Sequence, residues 1–437
     1  MPLTDETPFI AEQAVSRFGP ISTVTELPRF RGLSGLYAYQ ARIGSGAPGV
    51  GAPVVPLAGY GSHAASESIA RRIAIAEALE RYSAGNFLGE ERKCARASEL
   101  IGDVLDLETI ARCSEREYSD PRCPFVRPDP NAEIRWVRGY NLATGDPVWV
   151  PAVMACYNLS DLAPQEKFWY QISTGCAVHT DPAEAILRGT LEVIERDAIA
   201  LIWLQKFSPP RLAQDMIAQW GDYEFGEVAD LLSWSERHFI DTYLFNATTD
   251  LKVPIVYCLQ IARYGSLAHQ VVGCAAARTL ASAARKAVQE TILIRTSFSE
   301  DDAVPASPDE FRFLKDGGRY MGVPERQSAF AFLFDGDGRV PRAEVLNLPE
   351  DPREALVTLR SLLSAKGMSA FVVDRTPTEL SELGLTAVNV IIPGLQPMSL
   401  RPFGMFLDHS RLRQAPEALG ITALPEESMN SWPQPFM

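Results

Sequence analysis

Two stretches of the sequence carry the same acidic pattern, Glu-x-x-Glu-Arg: Glu77, Glu80 and Arg81 in one, Glu192, Glu195 and Arg196 in the other. On a helix, residues three and four apart share a face. Glu77, Glu80 and Arg81 therefore project together, with Ile75, Leu79 and Tyr82 on the opposite side. In the second stretch Glu184, Arg188, Glu192, Glu195 and Arg196 form one stripe, backed by Ile186, Leu187, Val193 and Ile194. Glu-Arg occurs at residues 80, 91, 115, 195, 236 and 325, and only at 80 and 195 does another Glu stand three residues earlier. Both of those lie in strongly apolar helical patterns, the second running on as AIALIWL. A charged stripe on a buried helix needs partners, because an unpaired buried charge is very costly. From the residues alone two readings stay open. Convergent carboxylates with few cations suit Mg²⁺, which shares hard oxygen ligands with substrate phosphates, while the arginines would grip phosphate oxygens bidentately. The alternative is a structural network of helix ion pairs.

The elements that must position these groups follow from periodicity and punctuation. A helix is expected from about Ser66 to Leu88, and a second from Pro182 to Leu204, with Asp181 or Thr180 as N-cap and Pro182 at the first position. A third is expected over about 280–297, and a fourth over 352–366. Strand patterns stand at 36–58, broken by a Gly/Pro-rich turn at 44–53, and at 252–262, 270–275, 369–374 and 387–392. The run 136–159 reads as a hairpin about Ala-Thr-Gly-Asp. A weak internal repeat joins the two acidic stretches: Gly61-Ser62-His63 precedes Glu77 much as Gly175 and His179 precede Glu192. Two such halves facing each other would bring both acidic faces to one cleft. The expected class is α+β, a mixed α/β fold with two pseudo-repeated halves and a nucleotide cleft between helices and sheet. Its expected parts are an N-terminal lead-in (1–20), a catalytic domain (21–415) and a Pro-rich C-terminal tail (416–437).

Composition narrows the function. With 46% hydrophobic and 22% charged residues, the 437-residue chain has the profile of a globular enzyme. Its net charge of −14 argues against nucleic acid as a partner, since phosphate backbones demand surplus Lys and Arg. The first residues lack a basic run followed by an apolar core, so no signal peptide is expected, and no apolar stretch is long enough to span a membrane. Seven scattered cysteines without Cys-x-x-Cys read as free thiols of a reducing cytoplasm. Cys113 and Cys123 are poorly spaced for zinc and have no His nearby. There is no Gly-x-x-x-x-Gly-Lys-Ser/Thr and no Gly-x-Ser-x-Gly.

Four runs in order, GYGSHAASESIARRIAIAEALERYSAG, WVRGYNLATGDPVWVPA, STGCAVHTDPAEAILRGTLEVIERDA and ARKAVQETILIR, resemble the YcaO family. The resemblance covers the chain from about residue 20 onward. It implies a site where acidic helix motifs hold Mg²⁺ and ATP. By position, Glu77, Glu80 and Arg81 match the first motif, and Glu184, Glu192, Glu195 and Arg196 the second. Arg188, Ser173 at the head of the third run, and Lys286, Glu290 and Arg295 in the last complete the implied ATP contacts. The implied metal ligands are Glu77, Glu80, Glu184, Glu192 and Glu195. The chain departs from the pattern at Tyr60, where a basic residue is usual, at Ala74, where Ser is usual, and at Arg188, where Gln is usual.

Family members that make azoline rings often end in Pro-x-Pro-x-Pro; here the sequence ends Pro433-Gln434-Pro435-Phe436-Met437. The resemblance therefore implies a catalytic tail of Pro433, Pro435 and Met437, whose terminal carboxylate would assist. The implied activity is ATP-dependent conversion of Cys, Ser or Thr in a ribosomal precursor peptide to thiazoline or oxazoline. Implied partners are that peptide, an E1-like leader-binding protein, which nothing in this sequence resembles, and a flavin-dependent dehydrogenase. A homodimer or hetero-complex is expected. Thioamide or macrocyclic amidine formation is the alternative chemistry, and a non-catalytic nucleotide-binding scaffold the alternative class.

Overall fold

Asp181 and Pro182 start the longest helix, and the computed structural model shows how. The Asp181 carboxylate accepts from the Ala183 N–H at 2.9 Å, while Pro182 takes the first helical position, where a missing N–H goes unmissed. The helix runs Pro182–Leu204, the bounds expected from sequence. The structure describes residues 10–28, 36–44, 58–63, 66–85, 91–213, 217, 220, 222–265, 267–298, 303–313, 315–335 and 343–437. The expected Gly/Pro turn at 44–53 lies almost wholly outside them.

The chain divides into two compact units, each assembled from separate segments. The first comprises Met1–Ile110, Phe125–Val193 and Asp351–Gly394. It opens with an antiparallel three-stranded sheet of β1 (Ile21–Glu26), β2 (Tyr37–Ile43) and β3 (Ala58–His63), followed by helix α1 (Glu67–Ser83). Ala70, Ala74, Ile75, Ala78 and Leu79 bury the apolar face of α1 against Tyr39, Ala41, Val178 and Leu385. The close fit needs glycine in β3: a Cβ on Gly59 would stand 2.2 Å from the Ala78 nitrogen, and one on Gly61 2.3 Å from the Ala70 oxygen. Ala11 and Ala14 join this core, so the lead-in packs from residue 10 onward.

The rest of the first unit is a seven-stranded mixed sheet. Its strands are β4 (Arg92–Ala95), β5 (Asp103–Val104), β6 (Ile134–Asn141), β7 (Pro147–Pro151), β8 (Cys176–His179), β12 (Phe371–Asp374) and β13 (Thr386–Ile391). They run in the order β5-β7-β6-β12-β13-β8, with β4 also on β6. The expected hairpin is β6 and β7, paired antiparallel, with Gly145 at φ 80° in the turn. Trp136, Trp149, Val150 and Phe168 fill a core on this sheet. Helix α2 is Pro182–Leu204; its residues up to Val193 belong to the first unit and those from Ile194 to the second.

The second unit comprises Ala111–Pro124, Ile194–Glu350 and Leu395–Met437. It holds α3 (Asp222–Arg237), then an antiparallel sheet of β9 (Ile240–Asn246), β10 (Ile255–Ala262) and β11 (Gln270–Ala276), then α4 (Leu280–Thr296). Helix α5 (Pro352–Ser364) returns to the first unit.

Some boundaries differ from the sequence reading. Helix α1 stops at Ser83 rather than near Leu88, because the Arg375 guanidinium takes the Ser83 and Gly85 carbonyls at 2.8 and 2.6 Å and so satisfies its last turn. Helix α3, strand β9 and the short helix Asp316–Met321 were not expected. Pro416, taken as the start of the tail, sits inside the helix Arg411–Ala418. Among the described residues no helix is long and apolar enough to cross a membrane.

Candidate functional site

Strand β3 and helix α1 together fix the first acidic motif. The Tyr60 N–H donates to the Glu77 carboxylate, and Arg81 donates to Glu77 at 2.5 Å and also to the Ala58 carbonyl. Glu77 is thus clasped from the strand and from its own helix. Glu80 is held differently: its carboxylate makes no hydrogen bond or ion pair among the described residues. Burial, then the Glu192 carboxylate, then Glu77 push its pKa well above the usual carboxylate range, against the pull of Arg81 and Arg188. Glu192 comes from α2 and accepts from the Gly175 N–H at 3.1 Å. Gly175 has φ 85°, and a Cβ there would lie 2.1 Å from the Val390 carbonyl oxygen, so only glycine serves. About two turns back on α2, Glu184 pairs with the half-exposed Arg188 at 3.0 Å. The Cys176 thiol, buried beside Glu80 and Glu192, accepts from the Asn389 amide at 3.2 Å. Burial, and next the Glu80 charge, raise its pKa and keep it protonated. Ser173 closes the turn into β8, its carbonyl accepting from the Cys176 N–H at 2.9 Å.

An unsatisfied carboxylate that neighbouring carboxylates push toward protonation invites a cation. The carboxylates are hard oxygen donors, which fit Mg²⁺, and the protonated Cys176 thiol is taken up by the Asn389 amide. Among the described residues no three His, Cys, Asp or Glu side chains close on one point as a ready-made cage. That suits Mg²⁺ too, since it takes one or two carboxylates and fills its octahedron with waters and phosphate oxygens. Arg81 and Arg188 are the cations that act on the Glu80 carboxylate.

The second unit holds the remaining residues singled out from sequence. Glu195 accepts from the Ala276 N–H at 2.8 Å, and its oxygen lies 3.7 Å from the Arg196 guanidinium. Burial raises its pKa, while Arg196 and Lys286 oppose the shift. Glu290 accepts from the Cys274 N–H at 3.4 Å. Arg295 turns away from carboxylates: it donates to the Gln260 side chain at 3.1 Å, to the Gln260 carbonyl at 3.3 Å and to the Ala268 carbonyl. Burial brings its pKa down to about 10. Pro433 and Pro435 are buried with the residues between and after them, and Met437 is partly covered. A cavity of about 500 Å³, lined in part by Arg211, Leu232, Glu236, Asp241 and Arg263, contains none of the residues singled out from sequence.

The equivalent histidines cap rather than ligate. His63 accepts through Nδ1 from the Ser66 N–H, and His179 from the Asp181 N–H, each at 3.0 Å. Burial and the Arg188 charge lower the His179 pKa, which keeps the accepting ring neutral. The backbone N–H groups of Tyr60 and Gly175, the Asn389 amide and the strut Arg375 were not found from sequence. Of these only Gly175 left a signal, a glycine just ahead of an alternating strand.

A family model described as "YcaO cyclodehydratase, ATP-ad Mg2+-binding" matches residues 61–396. An uncharacterized protein in the tfuA 3′ region of Rhizobium leguminosarum bv. trifolii is 28% identical, over 67% of this chain and 66% of that protein. A heterocyclase solved in complex with substrate and cofactor superposes with a TM-score of 0.77 and 21% identity, over 100% of this chain and 58% of its own. YcaO from Methanopyrus kandleri, solved with AMPPCP and Mg²⁺, gives a TM-score of 0.57 and 18% identity, over 86% of each chain. The chain thus spans just under two thirds of that curated relative, and less of the heterocyclase. At these identities the solved structures establish the mixed α/β fold.

Proposed function

The chain belongs to the YcaO family, with ATP and Mg²⁺ as its cofactors, and we propose that it is an ATP-dependent cyclodehydratase of ribosomal peptides. The observation that carries this reading is Glu80: a carboxylate without a hydrogen bond, raised by burial and by Glu192 and Glu77, beside two arginines. Such an arrangement is unfavourable by itself and becomes favourable with a bound cation and phosphates. Glu77, Glu80 and Glu192 would hold Mg²⁺; bound there, it neutralises charge on the phosphoryl group being transferred. Arg81 and Arg188 would orient the phosphates.

In the proposed reaction a Cys, Ser or Thr side chain of the peptide releases its proton to solvent and adds to the preceding backbone carbonyl. The resulting oxyanion attacks the γ-phosphorus of ATP and ADP departs. The phosphorylated oxygen then leaves as phosphate while the amide nitrogen loses its proton, giving C=N and a thiazoline or oxazoline. Backbone oxygen is otherwise a poor leaving group, which is the reason ATP is needed. The same proposal counts Pro433, Pro435 and Met437 of the tail as catalytic. A precursor peptide and a peptide-recruiting partner protein belong to the same proposal, with ring oxidation by a separate dehydrogenase.

The test measures phosphate release and loss of water from Cys-, Ser- and Thr-containing peptides, with Mg·ATP. Wild type should release phosphate in step with ring formation. Glu80→Gln should lose both while remaining folded. Peptide-independent phosphate release in both proteins, or none in either, would sink the reading.

A further inference from the structure

The helix Asp316–Met321 reads Asp-Gly-Gly-Arg-Tyr-Met, with two adjacent glycines inside it. Glycine in a helix interior costs about 1 kcal/mol against alanine. Neither Gly317 nor Gly318 has the positive φ that would call for glycine. Space does call for it. A Cβ on Gly317 would stand 2.6 Å from the Gln434 carbonyl oxygen. One on Gly318 would stand 2.2 Å from Met437 Cγ and 3.2 Å from the Pro435 oxygen.

Little else sets the position of the last residues. Upstream, the tail is tied to the end of α2: the Asn430 N–H donates to the Leu204 carbonyl at 3.0 Å, and the Trp203 indole donates to the Trp432 carbonyl at 2.8 Å. Beyond Trp432 the anchor is Phe436, 2% exposed, whose ring meets Tyr257 edge-on at 5.7 Å. The buried Tyr257 hydroxyl and the buried Gln434 side-chain oxygen have no hydrogen-bond partner. Buried polar groups left unmatched weaken docking, so side-chain hydrogen bonds do not define the seat. Shape does.

We infer that Gly317 and Gly318 are positioning residues: together they form the seat that fixes residues 433–437 for the reaction. This role rests on the proposed function of the tail, whereas the seat itself rests on the close approach alone. Alanine is the better helix former, so Gly317→Ala should leave the fold intact while pushing against a backbone carbonyl that cannot rotate away.

The experiment compares wild type, Gly317→Ala, Phe436→Ala and a deletion of residues 433–437 in the full chain. Hydrogen–deuterium exchange reads the 430–437 segment, and phosphate release from Mg·ATP with a defined pool of Cys-, Ser- and Thr-containing peptides reads the reaction. Gly317→Ala should exchange at the Gln434, Phe436 and Met437 amides about tenfold faster or more, with unchanged melting. Its peptide-stimulated phosphate release should fall to the level of the deletion, with Mg·ATP affinity kept. Unchanged exchange in Gly317→Ala overturns the seat. Faster exchange with full activity, when the deletion is inactive, overturns the positioning role. Full activity in the deletion removes the catalytic tail reading, and with it the positioning role, while the exchange data still decide the seat.

Discussion

The two units share one module and use it differently. In each, an antiparallel three-stranded sheet runs straight into a 17-residue helix, α1 or α4. Ser66 and Thr279 cap these helices in the same way, accepting from Ile69 and Ser282 N–H groups. The last strand brings glycine against the helix, Gly59 in one and Gly273 in the other. An N–H from the next residue, Tyr60 or Cys274, holds the glutamate at the eleventh helical position, Glu77 or Glu290. The difference begins with the arginine. Arg81 joins Glu77, and the Glu80 carboxylate makes no hydrogen bond among the described residues. Arg295 is spent on the Gln260 and Ala268 oxygens, so it works as a strut inside its own unit. On the proposed function, chemistry rests on which groups the module leaves unmatched.

The largest effect should separate Glu80 from its surroundings. Glu80→Gln keeps shape and removes the charge; peptide-dependent phosphate release should fall about a hundredfold or more, in line with loss of a charge-stabilising group at a phosphoryl site. Arg295→Met should instead lower stability by about 2–4 kcal/mol, the cost of stranding buried acceptors, with Mg·ATP affinity measured by calorimetry unchanged. If Arg295→Met weakens nucleotide binding tenfold while the melting temperature holds, the contrast between the modules fails.

A second pair tests what the modules have in common. Gly59→Ala and Gly273→Ala should both destabilise by about 1–3 kcal/mol, the range for overpacking. Their nearest obstacles are a backbone nitrogen at 2.2 Å and the Thr291 hydroxyl at 2.3 Å. The hydroxyl can rotate, so denaturant melts should show the smaller loss for Gly273→Ala. Equal losses would mean that the strands, not the side chains, absorb the strain.

The module explains which parts of the molecule sequence could reveal. Helices declared themselves by caps and by stripes: Asp181-Pro182 began α2, and the Glu-Arg spacing placed Glu77, Glu80 and Glu192 on faces that the fold uses. The deeper repeat stayed hidden, because it lives in backbone. Tyr60 and Cys274 do the same work through N–H groups that any residue has. The seven-stranded sheet inserts β12 and β13 between β6 and β8, a pairing of segments far apart in sequence that no local pattern encodes. Arg375 was invisible for the same reason, since the carbonyls it caps lie nearly three hundred residues earlier.

The smallest effects come from pH, where two carboxylates of the first unit should act with opposite sign. Glu166 is held below the usual range: despite burial, hydrogen bonds from the Arg135 side chain and backbone keep it ionised. It adds stability above the unfolded carboxylate pKa and loses it as pH falls through the lower folded value. Glu80 is raised by burial and its carboxylate neighbours. In metal-free protein it therefore costs stability at neutral pH, and the cost disappears as pH falls through the raised folded value toward the unfolded one. Urea melts across that window, without Mg²⁺, should show Glu80→Gln gaining on wild type as pH rises from the acid side. Glu166→Gln should lose on wild type over the lower part of the range. Saturating Mg²⁺ and a non-hydrolysable ATP analogue should reverse the Glu80 difference, because the ion needs the ionised carboxylate that the folded protein alone disfavours. A Glu80 difference of the same sign with and without the ion would leave that carboxylate as a structural charge, no different in kind from Glu290.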